Sequence, residues 1–491
     1  MPSLTRVRSI TLGASGLLAT ALMAGRLSGL GRELILASRF GISTQADIAV
    51  VLLTVPDLLV NLLLSGGLSA ALVPRLRALP AEAAAELFWN ACLWVTSAFG
   101  LLALIIAIWP TGVFAIFAPG LSHPAGVAGR GAMTLMALSI PLTALSGITA
   151  AYLNARERFF IAGLGTLIFN LVVIAALVGW AGEDSLLVLT GAILAGATIR
   201  LMSQIAALPR SALVRGRGFT RFDRAFSLAL AAGIAASSLT LIPPALVRAA
   251  ASLLGTGNVA AFNYAQKLVE LPLGILITTI STVALTRLSG HYAEGREDDA
   301  RDTLRSGLRL SLLLAIMVVF FGELLAEPVA ALVFLRGAID ERDVVQIAEL
   351  TRIILIGVPF VAISSLAMAS LNAQMRTSEV LRSTGASIGV LVVLAVPGLL
   401  ASSGPLLMAA VTGSQATLAW FLARRAGICL WGRAGIIDHQ SLKAIGFGLV
   451  VAMIFGGIAF FFDREKGVVA IALGVAGFAA AIGTSVSVAR R

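Results

Sequence analysis

The chain has 491 residues, of which 58% are hydrophobic and 12% are charged. An average soluble domain contains about 45–50% apolar and about 25% charged residues, so this composition excludes a soluble globular protein and indicates a polytopic membrane protein. The formal net charge of +11 would also suit a nucleic-acid-binding protein. Basic residues that flank membrane helices and face anionic lipid account for this charge, and we therefore predict no nucleic-acid partner.

Apolar runs of about 20 residues recur from one end of the chain to the other and predict an all-α fold with about 14 transmembrane helices. In chain order, these predicted helices occupy residues 9–38, 46–72, 85–109, 131–153, 159–181, 185–207, 225–252, 258–285, 306–324, 347–373, 379–401, 404–423, 442–462 and 467–488. The basic opening MPSLTRVRS leads into the first apolar run without a small-residue cleavage site. This pattern predicts a retained helix rather than a signal peptide.

Basic residues concentrate in alternate loops between the predicted helices. Because Lys and Arg near helix ends resist translocation, loops rich in them are expected on the cytoplasmic side. If the N-terminus is cytoplasmic, the same side receives Arg75, Arg77, Arg156, Arg158, Arg210, Arg215, Arg217, Arg221, Arg224, Arg296, Arg301, Arg305, Arg376, Arg382, Arg424, Arg425, Arg433, Arg490 and Arg491. An even number of helices then places both termini in the cytoplasm.

Two similar segments indicate an internal duplication. PLTALSGITAAYLNARER at 141–158 and PFVAISSLAMASLNAQMR at 359–376 align without a gap, at an offset of 218 residues. Six helices in each half make this a parallel repeat, an organisation in which transporters place a site between two lobes. We predict an N-lobe at 1–217 and a C-lobe at 218–430 around a central cavity, followed by a C-terminal helix pair at 431–491.

The sequence offers no candidate catalytic or metal-binding residues. Cys92 and Cys429 lie far apart, and the three histidines stand in predicted loops without a second ligand at metal-binding spacing. No phosphate-binding loop or nucleophile elbow is present. We therefore predict that the protein is not an enzyme and has no metal or cofactor.

The second half of the first predicted helix, GRLSGLGRELILASRFG, carries Arg26, Arg32, Glu33 and Arg39 in an otherwise apolar segment. An arginine at the centre of a membrane costs about 2.5–3.5 kcal/mol on insertion scales, so it needs a partner, an aqueous cavity or an anion. Arg39 can reach the interface from the helix end. We expect Arg26 and Arg32 to face a cavity and bind substrate, with Asp47 near them.

In the second half, NYAQKLVELPLG places Tyr264, Lys267 and Glu270 at three-residue spacing before Pro272. We expect the three side chains to share one helix face. Lys267 and Glu270 at this spacing can simply neutralise each other. Alternatively, Lys267 completes a cationic chamber with the arginines of the first helix. Guanidinium and ammonium groups in a dry site suit a phosphate or diphosphate, so the predicted ligand is such an anion with a large appendage.

These motifs, together with VPDLLVNLLLSGGLSAALVPRL at 55–76, resemble those of the MurJ/MviN lipid II flippases of the MOP exporter superfamily. The resemblance implies two lobes around a central cavity, alternating access, and flipping of undecaprenyl-diphosphate-linked muropeptide across the bacterial inner membrane for peptidoglycan synthesis. It also implies that Arg26, Arg32 and Asp47 are functional charges. Lys267 stands at the place of a family arginine and Glu270 at that of its acidic companion, while the extra C-terminal helices resemble those that extend a groove for the lipid tail.

The sequence departs from the family pattern at three places. Val60 and Asn61 stand where the family usually has an arginine pair, Ser65 replaces a glutamate, and Gln266-Lys267 replaces Asp-Arg. Lysine does not reproduce the planar fork of arginine, so either the clamp is weaker or the substrate differs. We expect Asn61 to face the substrate.

Three alternatives to lipid II transport follow from this departure and from the acids in the chain. The protein would carry another polyprenyl-diphosphate-linked oligosaccharide, act as a non-transporting scaffold, or export small molecules with a coupled cation. The last would depend on Asp47, Asp57 and Glu270. For the flippase, a coupling ion or the inside-negative membrane potential would help to move the diphosphate outward.

Overall fold

The structure is a computed structural model and describes residues 4–61, 67–121, 126–180, 185–213, 238–239 and 241–428. Within these ranges the regular structure is helical, and no strand occurs. Seven helices of the described ranges are long and apolar enough to cross a membrane, or eight if one bent pair is counted as a single span. The all-α prediction is therefore confirmed, whereas the count of 14 spans stays a prediction.

Helices α1 to α9 build the first half of the described chain. They are α1 (Leu4–Phe40), α2 (Thr44–Val60), α3 (Gly67–Ala78), α4 (Ala81–Ile108), α5 (Pro110–Phe117), α6 (Gly126–Ala137), α7 (Ser139–Ala155), α8 (Phe159–Gly179) and α9 (Ser185–Ala206). Ser43 caps α2, since its hydroxyl accepts a hydrogen bond from the backbone N–H of Ala46 at 3.1 Å. The cap starts α2 shortly after α1 ends at Phe40, with Gly41 in the left-handed region at φ 62°.

Helices α10 to α17 build the second half. They are α10 (Leu241–Ser252), α11 (Asn258–Pro272), α12 (Thr278–Ala293), α13 (Glu297–Phe334), α14 (Glu341–Leu355), α15 (Val358–Ala373), α16 (Thr377–Leu400) and α17 (Gly404–Arg425). A π-helical turn, Leu273–Ile277, connects α11 to α12 directly after Pro272. Proline removes a helical hydrogen bond, which accounts for irregular backbone at this position.

Most predicted helices in the described ranges lie where the apolar runs placed them, but some differ in extent. The prediction at 347–373 is two helices, α14 and α15, bent by 44°. The prediction at 306–324 is the much longer α13. Its polar first turns carry Glu297, Asp298 and Asp299, which favour a helix N-terminus, and a hydropathy pattern does not register them.

The described parts of the prediction at 46–72 are helical, in α2 and α3, and residues 62–66 between them lie outside the described residues. The predictions at 442–462 and 467–488 lie outside the described residues, as does most of the one at 225–252.

The chain divides into two compact units. The first unit comprises Met1–Ala245 with Gly255–Val259, and the second comprises Leu246–Leu254 with Ala260–Arg491. The predicted boundary between lobes at 217 and 218 lies outside the described residues. The division into N-lobe, C-lobe and C-terminal pair therefore stays a prediction.

The two segments that align in sequence also end alike. In α7 the helix ends at Ala155 and Glu157 adopts a left-handed φ of 62°; the backbone N–H of Arg158 then donates to the carbonyl of Leu153 at 2.9 Å. At the offset noted above, Met375 has φ 60°, and Arg376 donates to Leu371 at 2.9 Å. These left-handed caps at aligned positions support the duplication, which as a layout of six helices per half remains a prediction.

Each unit has its own apolar core. In the first unit, Tyr152 of α7 is fully buried and its ring lies 4.9 Å from that of Phe88 of α4. In the second unit, Leu308 of α13 and Leu366 of α15 are fully buried in one cluster. The first-unit core reaches α8 directly through Ala162, and α7 also contacts α2 and α9. Helix α1 packs against α8 and α2.

The hairpin of α16 and α17 depends on one close approach. A Cβ on Gly398 would lie 2.7 Å from the backbone nitrogen and 3.0 Å from the Cα of Leu407. The G398A substitution should therefore lower the free energy of unfolding by about 1–3 kcal/mol through overpacking against backbone that cannot yield. Thermal unfolding of the purified protein in detergent measures this loss.

Gly389 on the same helix is the matched control, because a Cβ added there would meet nothing within 4 Å. G389A should be neutral or stabilise by up to about 1 kcal/mol through helix propensity. Equal unfolding temperatures for G398A and G389A would contradict the close packing of the hairpin.

Candidate functional site

The four charged residues of α1 differ sharply in their surroundings. The side chains of Arg32 and Glu33 are only 4% and 3% exposed, whereas Arg26 and Arg39 are exposed. Arg39 donates from Nη2 to the carbonyl of Val178, at 3.1 Å, near the end of α8. The charge of Arg39 interacts there with the negative end of the α8 dipole. Arg39 therefore has a different environment from the buried pair Arg32 and Glu33.

Arg32 is the centre of a buried ion cluster formed by α1, α2 and α8. Its Nη2 donates to Glu33 Oε1 at 2.8 Å and to Asp57 Oδ2 at 2.9 Å. Its Nη1 lies 3.5 Å from Asp57 Oδ1 and donates to Asn170 Oδ1 at 3.3 Å. A buried charge without a partner costs about 3–5 kcal/mol. Two carboxylates and an amide oxygen compensate Arg32.

Asn170 fixes the geometry of this cluster from α8. While its carbonyl oxygen accepts from Arg32, its Nδ2 donates to the carbonyl of Gly25 at 3.3 Å and to Ser28 Oγ at 3.1 Å. A Cβ on Gly29 would lie 3.5 Å from the same Nδ2. Small residues on α1 thus let α8 approach closely enough for one amide to bridge the backbone and the guanidinium.

Asp57 is the member of the cluster that reaches the surface. Its side chain is 44% exposed, in contrast to those of Arg32 and Glu33. Asp57 lies on α2, next to Pro56 inside that helix. The cluster therefore consists of a fixed, buried pair on α1 and an accessible carboxylate on α2.

Asp47 is fully buried and lies apart from the Arg32 contacts. Its Oδ2 accepts a hydrogen bond from the backbone N–H of Gly257 at 2.7 Å. Gly257 has φ 82°, and a Cβ there would lie 2.3 Å from Ile42 Cγ2. Only glycine fits this turn, and within the first unit Asp47 holds the turn in place.

The predicted residues of the second half belong to α11. Lys267 Nζ pairs with Glu270 Oε2 at 2.7 Å, and Glu270 is exposed. This is the neutralising arrangement that the sequence left open. Tyr264 is fully buried, with its ring 5.3 Å from that of Phe334.

The expectation that Tyr264, Lys267 and Glu270 share one face is wrong, because Tyr264 lies in the core while Glu270 is exposed. Each step of three residues rotates a side chain by about 60° relative to the previous one. Two steps separate Tyr264 from Glu270 by about 120°, which is enough to place one in the core and the other at the surface.

Asn61 is exposed at the C-terminal end of α2, where its backbone N–H donates to the carbonyls of Asp57 and Leu58. The side chain of Val60 and all of Ser65 lie outside the described residues. Among the described residues, no group of three or more His, Cys, Asp or Glu side chains could hold a metal ion.

A family model described as lipid II flippase MurJ matches residues 36–477. The chain belongs to the MurJ family. A probable lipid II flippase MurJ of Rhizobium tropici is 26% identical over 470 residues, which cover 91% of this chain and 86% of that protein.

Two further relatives align over a shorter region. The lipid II flippase MurJ of Burkholderia cenocepacia is 28% identical over 349 residues, which cover 66% of each chain. The probable lipid II flippase MurJ of Buchnera aphidicola subsp. Acyrthosiphon pisum is 27% identical over 346 residues, which cover 67% of this chain and 66% of that protein. The aligned region thus spans just under two thirds of these two relatives.

Solved structures share the fold of this MurJ-family chain. A lipid II flippase MurJ in an inward closed conformation superimposes with a TM-score of 0.83 at 18% identity, covering 95% of this chain and 97% of that one. An inward-facing MATE family multidrug transporter of the MOP superfamily gives a TM-score of 0.66 at 14% identity, covering 84% and 98%. Together with its long apolar helices, this makes the chain a multi-pass membrane protein.

The sequence predicted neither Asp57 nor Asn170 as a partner of Arg32: Asp57 was expected only as an acid for cation coupling, and Asn170 was not singled out. The buried Arg200 of α9 was not predicted either. The signal for Arg200 was the same as for Arg32, since it is the single charged residue in the apolar helix α9. It is 2% exposed.

The hydrogen bond between Asp47 and Gly257 should slow amide hydrogen exchange in the 255–257 turn. D47A removes a charge-assisted acceptor, so amide hydrogen exchange in a peptide covering 255–257 should become about tenfold faster. Hydrogen–deuterium exchange with mass spectrometry measures this in detergent.

D47N keeps an acceptor oxygen and should show a smaller increase. The Gly427 amide, which donates to the carbonyl of Arg424, provides an internal reference for an unaffected site. Unchanged exchange at 255–257 in D47A would show that Asp47 does not hold this turn.

Proposed function

We propose that this MurJ-family protein is a flippase that moves lipid II from the cytoplasmic to the periplasmic leaflet of the bacterial inner membrane for peptidoglycan synthesis. The observation that carries the proposal is the buried Arg32, held by Glu33, Asp57 and Asn170 in a chain of this family. On this proposal the protein binds and moves its substrate without forming or breaking covalent bonds in it. It is a transporter rather than an enzyme.

The chemistry of the headgroup fits the cluster. The diphosphate of a polyprenyl-diphosphate-linked glycan carries the charge that guanidinium groups bind best, through paired charge-assisted hydrogen bonds. Arg32 is already held in one orientation, so binding costs little further ordering of its side chain. Arg26 is exposed on the same helix and supplies a second positive charge.

The residues of α11 have a complementary part in the proposal. Lys267 is balanced by Glu270, and both lie shortly before Pro272 and the π-helical turn. A phosphate oxygen could replace the exposed Glu270 carboxylate at Lys267. Asp47, Tyr264 and Asn61 also belong to the proposed substrate pathway. Asp47 acts by holding the 255–257 turn, and Tyr264 acts by packing α11 in place.

The proposal also covers the orientation of the protein in the membrane and the energetics of substrate movement. Fourteen spans in two parallel lobes, with both termini in the cytoplasm, would place the headgroup site near the middle of the membrane. Outward movement of a diphosphate is favoured by an inside-negative potential, by about 2.3 kcal/mol per unit charge for each 100 mV.

A second candidate is transport of another polyprenyl-diphosphate-linked oligosaccharide by the same machinery. The observation that favours it is Asn61, an exposed amide at the end of α2 where the family pattern has a guanidinium. A cation-coupled exporter is less well supported. Asp47, Asp57 and Glu270, which would have to carry the cation, accept from Gly257 or pair with Arg32 and Lys267.

Genetic complementation tests the proposal. The chain should restore growth to bacteria depleted of their own lipid II flippase, and R26A and R32A should abolish rescue because each removes a cation of the headgroup site. R32K should rescue partially, since it retains charge without the planar fork. Immunoblots of membrane fractions establish that all variants are present at wild-type levels.

The matched control is R39A, which alters a guanidinium of the same helix that binds the end of α8 in this structure; it should rescue like the wild type. Failure of a well-expressed wild type would exclude lipid II and favour another polyprenyl-linked glycan. Full rescue by both R26A and R32A would overturn the headgroup site itself.

A further inference from the structure

Arg200 on α9 is a buried cation without an ion-pair partner among the residues that the structure describes. The residue is 2% exposed, and its Nε and Nη2 atoms are buried without a hydrogen-bond acceptor in the described ranges. Buried guanidiniums are normally paired or hydrogen-bonded, because desolvating an unpaired charge is expensive. Packing alone does not explain why α9 carries this residue.

The immediate surroundings of Arg200 are shaped to hold it. A Cβ on Gly165 of α8 would lie 2.8 Å from Arg200 Nε and 3.0 Å from Gln204 Nε2. Only a glycine at this position lets the guanidinium and the amide lie against α8. Gln204 Oε1 accepts from Ser146 Oγ at 2.7 Å, while its Nε2 is buried without an acceptor among the described residues.

The donors around Arg200 therefore exceed the acceptors. Two guanidinium nitrogens and one amide nitrogen, one helical turn apart on α9, are all buried and unsatisfied within the described chain. Such a group of N–H donors has the chemistry of an anion site. Arg32 Nε, in the neighbouring cluster, is also buried without an acceptor there.

The Arg32 cluster and Arg200 are both in contact with helix α8. Asn170 of the cluster and Gly165, against which Arg200 lies, are five residues apart on this helix, or about 7.5 Å along its axis. Asp57 forms the ion pair with Arg32 at 2.9 Å. Arg32 has a second carboxylate in Glu33, which is buried at 2.8 Å, so Arg32 stays compensated when Asp57 moves away. Asp57 is also the accessible member of the cluster, with 44% of its side chain exposed.

We propose that Arg200 is a second buried guanidinium of the headgroup site and that Asp57 is an exchangeable carboxylate, which a diphosphate displaces to reach Arg32 and Arg200 together. The inference rests on the proposed function and extends it to two residues. Arg200 supplies a guanidinium in a chain that has Val60 and Asn61 instead of an arginine pair. Asp57 makes binding a competition between carboxylate and phosphate.

The competition has a direct energetic consequence. A carboxylate at Arg32 must be displaced before phosphate oxygens can bind, so it weakens binding of every anion. Its replacement by an amide of the same shape removes the competing charge while Glu33 and Asn170 still hold Arg32. Removal of Arg200 takes away one of the two cations that bind the anion, which should weaken binding. It also removes an uncompensated buried charge, which should stabilise the protein.

The test is binding of inorganic pyrophosphate and of geranylgeranyl diphosphate to the purified full-length protein in detergent, by isothermal titration calorimetry. D57N should bind both about tenfold more tightly than the wild type, and R200Q about tenfold more weakly. R296Q alters an exposed arginine paired with Glu294 outside the cluster and should bind like the wild type. Tighter binding of the prenyl diphosphate than of pyrophosphate assigns the site to a lipid-linked headgroup, and equal binding assigns it to the diphosphate alone.

Thermal unfolding separates a binding role from a structural one. If Arg200 serves binding, R200Q should unfold at a higher temperature than the wild type, because an uncompensated charge is removed. Lower stability of R200Q together with unchanged pyrophosphate affinity would assign Arg200 a packing role and overturn the proposal. Weaker binding by D57N, or no pyrophosphate binding by the wild type, would overturn it as well.

The inference and the proposed function can fail separately. If the wild type does not rescue flippase-depleted cells but its pyrophosphate affinity depends on Arg200 and Asp57, the headgroup site stands and lipid II is excluded. If the wild type rescues and R200Q and D57N bind and rescue like it, the flippase assignment stands and the roles of Arg200 and Asp57 are overturned.

Discussion

The ion pair between Arg32 and Glu33 is the interaction on which the first unit depends. Two opposite charges on adjacent residues of a membrane helix are tolerated only if both are withdrawn from lipid and compensated. That requirement brings α2 to α1 through Asp57 and α8 to α1 through Asn170. Small residues on α1 leave room for this contact, through which the amide of Asn170 reaches both the backbone and the guanidinium.

Much of the fold could be predicted from the sequence, since a helix that faces lipid is apolar over its whole length and needs no tertiary information to be recognised. The extent of α13 could not, because its first turns are stabilised by acidic residues and ion pairs such as Arg301 with Asp298 rather than by apolar burial. The bend between α14 and α15 likewise escaped a count of apolar residues. The similarity of the segments that end α7 and α15 could be found from the sequence, because each segment is a short continuous stretch.

The sequence predicts which charged residues are unusual, but it does not predict which residues contact them. Arg32 stood out because an arginine in an apolar run is costly, and Arg200 carried the same signal without being recognised. That Asp57 rather than Asp47 pairs with Arg32 follows from packing between helices, which sequence spacing does not encode. For Tyr264 the three-residue spacing was misleading, because the rotation accumulated over two steps turned its ring into the core.

The long helix α13 has a mechanical consequence. Its 38 residues extend about 57 Å at about 1.5 Å per residue, nearly twice the thickness of about 30 Å of a hydrocarbon layer. Its first turns carry Arg301 and Arg305 with their acidic partners, and lipid tails cannot solvate these charges. The charged turns therefore limit how deep this end of α13 can sink into the bilayer.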